Sequence, residues 1–303
     1  MKCDAYKSLG GEGFREPDME SDIEPRLFQL LAEASLEATP KQVLKLHTVP
    51  DWLSAGTWVY VPFLPKGRFE ETFEACERLL LWGMVPIPHI PARAVPSEAC
   101  LHRWLSSLTH IGVYNILLIA GEKNPPAGPF SNTLALLASG ALAKHPLRGI
   151  GVAGHPEGHP HATSLELTNA LAFKREYAEA NQLNMWVVTQ FSFDADIFIQ
   201  WLQCYQEMLG NLPVYLGMPG PTQLKNLLFY AAQCGVVESV AALRRNLKAT
   251  QLLKPWTPDL LVQEMARYQS INPDTPFQGI HLYPFGGLKQ SARWLRGLTD
   301  DEK

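Results

Sequence analysis

The sequence has no long hydrophobic run and no paired cysteines, and both absences narrow what it can be. None of its apolar stretches approaches the roughly 20 residues that a membrane-spanning helix needs, and the opening MKCDAYKSLGGEG lacks the apolar core of a signal peptide. A cytoplasmic protein with no membrane partner is therefore expected. The five cysteines, Cys3, Cys76, Cys100, Cys204 and Cys234, lie far apart and form no CxxC pair. An odd, scattered set reads as buried thiols in a reducing compartment, not as a disulfide framework or a zinc site. Basic runs are also missing, and with a net charge of -4 the chain offers no electrostatic footprint for nucleic acid. Nor does a glycine-rich phosphate turn follow the first apolar run. Thr39-Pro-Lys-Gln stands there, which argues against a doubly wound dinucleotide fold.

What is present is a large apolar core in alternating pieces. The chain has 303 residues and 46% hydrophobic content, enough for one large α/β barrel. Residues 1–25 are polar and read as a flexible N-terminal tail, and residues 26–303 read as one domain that opens with an amphipathic helix over Pro25–Ala34. Strand patterns then recur at Ala34–Thr39, Thr57–Leu64, Val85–Ile90, Asn115–Ala120, Gly149–Ala153, Met185–Gln190, Pro213–Met218 and Gly279–Tyr283. Helical periodicities lie between most of them, over Phe69–Trp82, Glu98–Ile111, Asn132–Ala143, Ser164–Ala180, Ala195–Leu209 and Pro221–Cys234. Eight strands with helices between them predict an α/β fold of the (β/α)8 TIM-barrel type.

In such a barrel the chemistry sits at the carboxyl ends of the strands. Glu37 lies in the first apolar run with Leu36 and Ala38 on the opposite face, so it is expected to point inward. A carboxylate buried there has its pKa raised and suits acid catalysis, whereas at a strand edge it is merely solvated. His89 ends strand three and Glu122 follows a glycine after strand four; a structural histidine and a solvated loop charge are the plain alternatives. Gln190, in Val-Thr-Gln-Phe, offers two donors and an acceptor and suits a heteroaromatic ligand. After strand five, Gly149-Ile-Gly-Val-Ala-Gly-His-Pro-Glu-Gly-His-Pro160 crowds His155, Glu157 and His159 into one turn. With His161 these histidines have zinc-ligand chemistry, but no second cluster supports a metal-dependent hydrolase, so no metal is expected.

Four segments together carry a resemblance: PHIPAR, GVAGHPEGHP, TQFSFDAD and GIHLYPFGG. In order and spacing, from about Ala34 to Leu298, the chain resembles the methylenetetrahydrofolate reductase family. The resemblance implies a (β/α)8 barrel that binds FAD along its strand ends and passes hydride between a nicotinamide, the flavin and the C1 unit of a tetrahydrofolate derivative. It implies interconversion of 5,10-methylenetetrahydrofolate and 5-methyltetrahydrofolate, in the synthetic direction or in the oxidative direction of C1 catabolism. Glu37 matches the family's acid in Glu37-Ala-Thr-Pro40, and Gln190 its pterin contact. Glu122 stands where an aspartate lies beside flavin and pterin. His89, His155, His159, Asn169 and Lys174 fall at or near cofactor-binding positions, the last two about one residue off register. A homo-oligomer is expected.

The chain also departs from the family pattern. Ala120-Gly-Glu122 replaces Arg-Gly-Asp, His155 replaces a tyrosine, Pro62 takes the place of a hydroxyl-bearing residue, and Gly286-Gly287 occupies the place of an arginine. All four changes fall on the cofactor-facing surface, which implies a divergent branch with a weaker FAD site, no flavin site at all, or a different hydride partner, NAD(P)H being the candidate. The alternative is a barrel without catalysis that binds folate or a partner protein.

Overall fold

The computed structural model describes residues 19–65, 67–234, 236 and 255–297. Eight parallel strands close into a barrel in chain order: β1 Ser35–Glu37, β2 Trp58–Val61, β3 Val85–Pro91, β4 Asn115–Ile119, β5 Gly149–Gly154, β6 Met185–Phe191, β7 Val214–Pro219 and β8 Phe277–Tyr283. Each overlaps the stretch expected from sequence, β8 beginning two residues earlier at Phe277. The helices are α1 Met19–Ala32, α2 Pro40–Lys45, α3 Phe69–Leu81, α4 Glu98–His110, α5 Thr133–Ala138, α6 Ser164–Ala180, α7 Ala195–Cys204, α8 Gln206–Leu209, α9 Leu224–Cys234, α10 Asp259–Ile271 and α11 Leu288–Leu295. Among the described residues no helix is long and apolar enough to cross a membrane.

The helix expected over Ala195–Leu209 is broken at Tyr205 into α7 and α8, the one expected over Pro221–Cys234 begins only at Leu224, and two further expectations need a larger correction. The first helix begins at Met19 and contains Pro25, so the end of the stretch expected to be a loose tail is helical. Pro25 suggests a helix start because a first-turn residue needs no N–H. Here Ile23, ahead of it, packs on the core with Leu27 and Leu31, and that burial extends the helix at the cost of one backbone bond. The helix expected over Asn132–Ala143 stops at Ala138. Ser139 Oγ bonds back to the Leu136 carbonyl and Gly140 takes φ +70°, which ends the helical path before a short 3-10 turn at Leu142–Lys144.

Period two divides every strand between two cores. Outward residues such as Leu36, Val59, Ile90, Leu118, Val152, Val187 and Leu216 are buried against the helices. Inward residues Tyr60, Ile87, Leu117, Trp186 and Val188 fill the barrel, with Trp58, Ile119 and Tyr215 packed against them. Trp186 fits because β5 presents glycine to it. A Cβ on Gly151 would lie 2.9 Å from the indole and 2.8 Å from Leu117. The indole Nε1 donates to Tyr60 Oη at 2.8 Å, so this aromatic floor leaves that donor satisfied.

Candidate active site at the mouth of the barrel

The polar layer begins one inward position above the floor. β1 is only three residues long, and its chain turns at once into α2 through a capping box in which Thr39 and Gln42 bond each other and Pro40 takes the first helical turn. That tight exit, with Ala38 N donating to the Tyr60 carbonyl at 2.8 Å, fixes Glu37 at the rim. Its side chain is 21% exposed, and burial raises its pKa to about 8. Glu37 therefore holds its proton at neutral pH while still reaching the opening.

His89, inward on β3, places Nε2 3.5 Å from Glu37 Oε1. The ring is 6% exposed, and burial pushes its pKa down to about 3. On the other side of β1, Ser35 Oγ lies 2.9 Å from His281 Nδ1, and His281 packs edge-on to Tyr60 and Tyr283. Burial and the neighbouring His89 hold His281 near 3 as well. Ser35, His281 and Tyr283 belong to the site although the sequence reading passed over them. Their signal is the two-residue alternation that pairs Ser35 with Glu37 and His281 with Tyr283 on one inward face.

Gln190 reaches the mouth through an irregularity. The register between β6 and β7 shifts between Val188 and Phe191, and Thr189 Oγ1 accepts the Gly217 N–H at 2.8 Å. Such a shift re-aims a side chain beside a site. Gly217 is required there, since a Cβ would stand 2.3 Å from the Thr189 carbonyl oxygen and 2.7 Å from the Tyr283 ring. Tyr283 Oη donates to the same carbonyl at 2.9 Å. Beyond it Phe191, Tyr230 and Phe285 form an aromatic shelf, with Tyr230 and Phe285 stacked at 4.3 Å.

The β5 side is basic instead. Lys174 of α6 is 6% exposed, donates to the Ala153 carbonyl at 3.1 Å, and has its pKa lowered to about 8 by burial. His155 is driven to about 3 by burial, Lys174 and His159, while His159 is lowered by burial, His161 and Arg93. Their rings form a ladder, His155 to His159 at 5.1 Å and His159 to His161 at 5.8 Å. Among the described residues no group of three or more His, Cys, Asp or Glu is arranged to hold a metal ion.

The remaining two candidates stand apart. Glu122 is exposed after Gly121, and its link to the centre is electrostatic: Cys234, at the end of α9, feels both Glu122 and Glu37. Asn169 is exposed on α6 and is not brought together with Lys174. Five residues of helix turn a side chain by about 500°, so the two point roughly 140° apart.

The model of the methylenetetrahydrofolate reductase family matches residues 70–251, more than half of the chain. An Arabidopsis thaliana protein, methylenetetrahydrofolate reductase (NADH) 1, is 26% identical over 162 residues, 48% of this chain and 26% of its own. A probable methylenetetrahydrofolate reductase (NADH) of Oryza sativa subsp. japonica is 24% identical over 236 residues, 71% of this chain and 38% of its own. The chain thus spans well under half the length of these plant relatives. Among solved structures, a Clostridium thermocellum protein described as binding two copies of 5-methyl-5,6,7,8-tetrahydrofolic acid superposes with TM-score 0.57 at 10% identity, over 92% of this chain and 98% of that one. The matched region, with the closed barrel and its polar mouth, makes this chain a member of the methylenetetrahydrofolate reductase family.

Proposed function

We propose that the chain is an oxidoreductase that interconverts 5,10-methylenetetrahydrofolate and 5-methyltetrahydrofolate by hydride transfer at C1, with Glu37 as general acid. The observation that carries this reading is the Glu37 carboxyl, buried enough to keep its proton to about pH 8 yet 21% exposed at the mouth. In the reducing direction Glu37 delivers that proton to a nitrogen of the five-membered ring, the C1–N bond opens, and the resulting iminium carbon accepts hydride. Gln190 offers its amide to the pterin, and its task is orientation, because C1 must lie within about 3–3.5 Å of the donor. Glu122, exposed and apart from the mouth, adds its charge.

FAD or NAD(P)H supplies the hydride when bound. The β5 side fits the pyrophosphate that both carry. Lys174 is a buried ammonium whose pKa is lowered by burial, His155 feels its charge, and His159 beside His155 feels Arg93. Strand four contributes Ala120 and no cation, so FAD is held loosely.

The test uses the purified full chain. Binding of 5-methyltetrahydrofolate, chosen because a protein of the same fold takes it, is measured by calorimetry. Oxidation of NADH by methylenetetrahydrofolate is then followed with and without added FAD. Binding with turnover is expected. Binding without turnover under either condition leaves a folate-binding barrel, and no binding overturns the reading.

A further inference from the structure

We propose that His89 is the positioning residue of the acid, its Nε2 accepting the proton of Glu37 and so holding that carboxyl protonated and in one orientation until substrate takes the proton. The inference rests on the reading of Glu37 as the acid and goes beyond it by assigning the acid a partner.

Three observations carry it. His89 Nε2 is buried and has no hydrogen-bond partner. It lies 3.5 Å from Glu37 Oε1, just beyond a good bond and within reach of a small carboxyl rotation. The ring is buried off the opening, so its free nitrogen faces the acid and not solvent. An orphaned buried ring nitrogen costs free energy that one such rotation recovers.

The protonation states agree with the geometry. Burial keeps His89 neutral down to about pH 3, so one ring nitrogen must be an acceptor. Glu37 carries a proton up to about pH 8 and can donate it. A neutral pair avoids placing two opposite charges in the interior. Among the described residues, the titratable groups coupled to the pair are neutral as well at pH 7. Tyr60 from β2 packs edge-on to His89 at 6.3 Å, and His281 from β8 feels His89. Tyr283 from β8 and Cys234 from α9 feel Glu37, and burial raises both. The pair is therefore left to set its own proton.

Two substitutions separate hydrogen bonding from packing. His89→Phe keeps an aromatic ring against Tyr60 and removes the acceptor, whereas His89→Gln removes the ring and keeps a carbonyl acceptor. Glu37 is titrated by the infrared carbonyl band of its protonated carboxyl, isolated as the difference from Glu37→Gln, and folate turnover is measured across the same pH range. His89→Phe is expected to lower the Glu37 midpoint by about half to one pH unit, the worth of one neutral hydrogen bond. It should also reduce turnover near pH 8 by up to about tenfold, while His89→Gln stays near wild type in both. If His89→Phe does not fold, His89→Asn, whose amide is too short to reach Glu37, replaces it. A Phe variant that keeps the midpoint while the Gln variant loses activity makes His89 a packing residue and overturns the proposal. The infrared titration needs no turnover: a moved band in a protein inert toward folate would retain the pairing and sink only the assigned reaction.

Discussion

On the floor of the barrel Trp58, Tyr60, Trp186 and Tyr215 interlock, with Gly151 making room and the indole donating to Tyr60 Oη. Toward the mouth stand Ser35 and Glu37 of β1 and His281 of β8, with His89 one inward position above Ile87 on β3, Gln190 one above Val188 on β6, and Lys174 of α6 beside β5. The floor is apolar and its indole donor is satisfied. The mouth buries titratable groups with fewer partners than they can use. Because successive inward positions of one strand serve both layers, the fold can spend stability at the mouth only if the floor is already well packed. Substitutions on the floor should therefore be read in stability and those at the mouth in chemistry.

The sharpest break of this comparison is Glu37→Gln. It keeps size and polarity but removes the acid proton, so folate turnover should fall by about 10²–10⁴-fold while the thermal midpoint does not fall. Stopped-flow assay and calorimetry on one preparation check both. Retained turnover would remove Glu37 from the chemistry.

The opposite break is Trp186→Ala, which should destabilise the fold by about 3–5 kcal/mol through lost burial and a cavity, and leave Tyr60 Oη without its donor. The fraction still folded should bind folate normally. Chemical denaturation and ligand titration together test this, and a stable variant with lost binding would contradict the division between layers.

A smaller effect appears in the pH dependence of stability. Glu37 has a folded pKa of about 8 against an ordinary carboxyl value of 4.5, so between those values the folded state binds more protons than the unfolded one. Its contribution is fully present below the unfolded value and is lost as pH rises through about 8. His89, His155 and His281 are depressed to about 3 from 6.5, so they act oppositely: stability falls as pH drops through that lower window. Between pH 6.5 and 8 the Glu37 slope stands alone among these groups and amounts to about 2 kcal/mol at most. Denaturation midpoints of wild type and Glu37→Gln across that interval should converge as pH falls, and parallel curves would show that Glu37 titrates normally.

Much of this molecule was legible in the sequence because parallel strands buried on two faces leave strong apolar runs, and all eight were found in their right places. Glu37 was legible for the same reason, as a charge between two outward apolar residues. Pro25 misled because a proline's usual place at a helix start competes with burial of Ile23, a tertiary effect. The His281–Ser35 contact joins residues 246 apart in sequence, a proximity that only barrel closure creates. His89 was visible as a residue, but its turn toward Glu37 depends on the register of β1 against β2 and β2 against β3.

The finest probe of the mouth is Gln190, which the irregularity of β6 brings to the rim without burying it. Its Oε1 already accepts the Phe191 N–H at 3.2 Å, which leaves the amide nitrogen free to meet a ligand. Gln190→Ala removes about one or two hydrogen bonds to an uncharged heterocycle, each worth about 0.5–1.5 kcal/mol, so folate affinity should weaken by roughly two- to tenfold per bond. Reduction of the bound cofactor by a nicotinamide does not involve the pterin and should stay nearly unchanged. The thermal midpoint should move little, because the side chain is only half-buried and Thr189 Oγ1, not Gln190, holds the Gly217 N–H. Measuring the two half-reactions separately decides the matter: loss in the folate half alone identifies a ligand contact, and equal loss in both identifies a prop of the irregular strand.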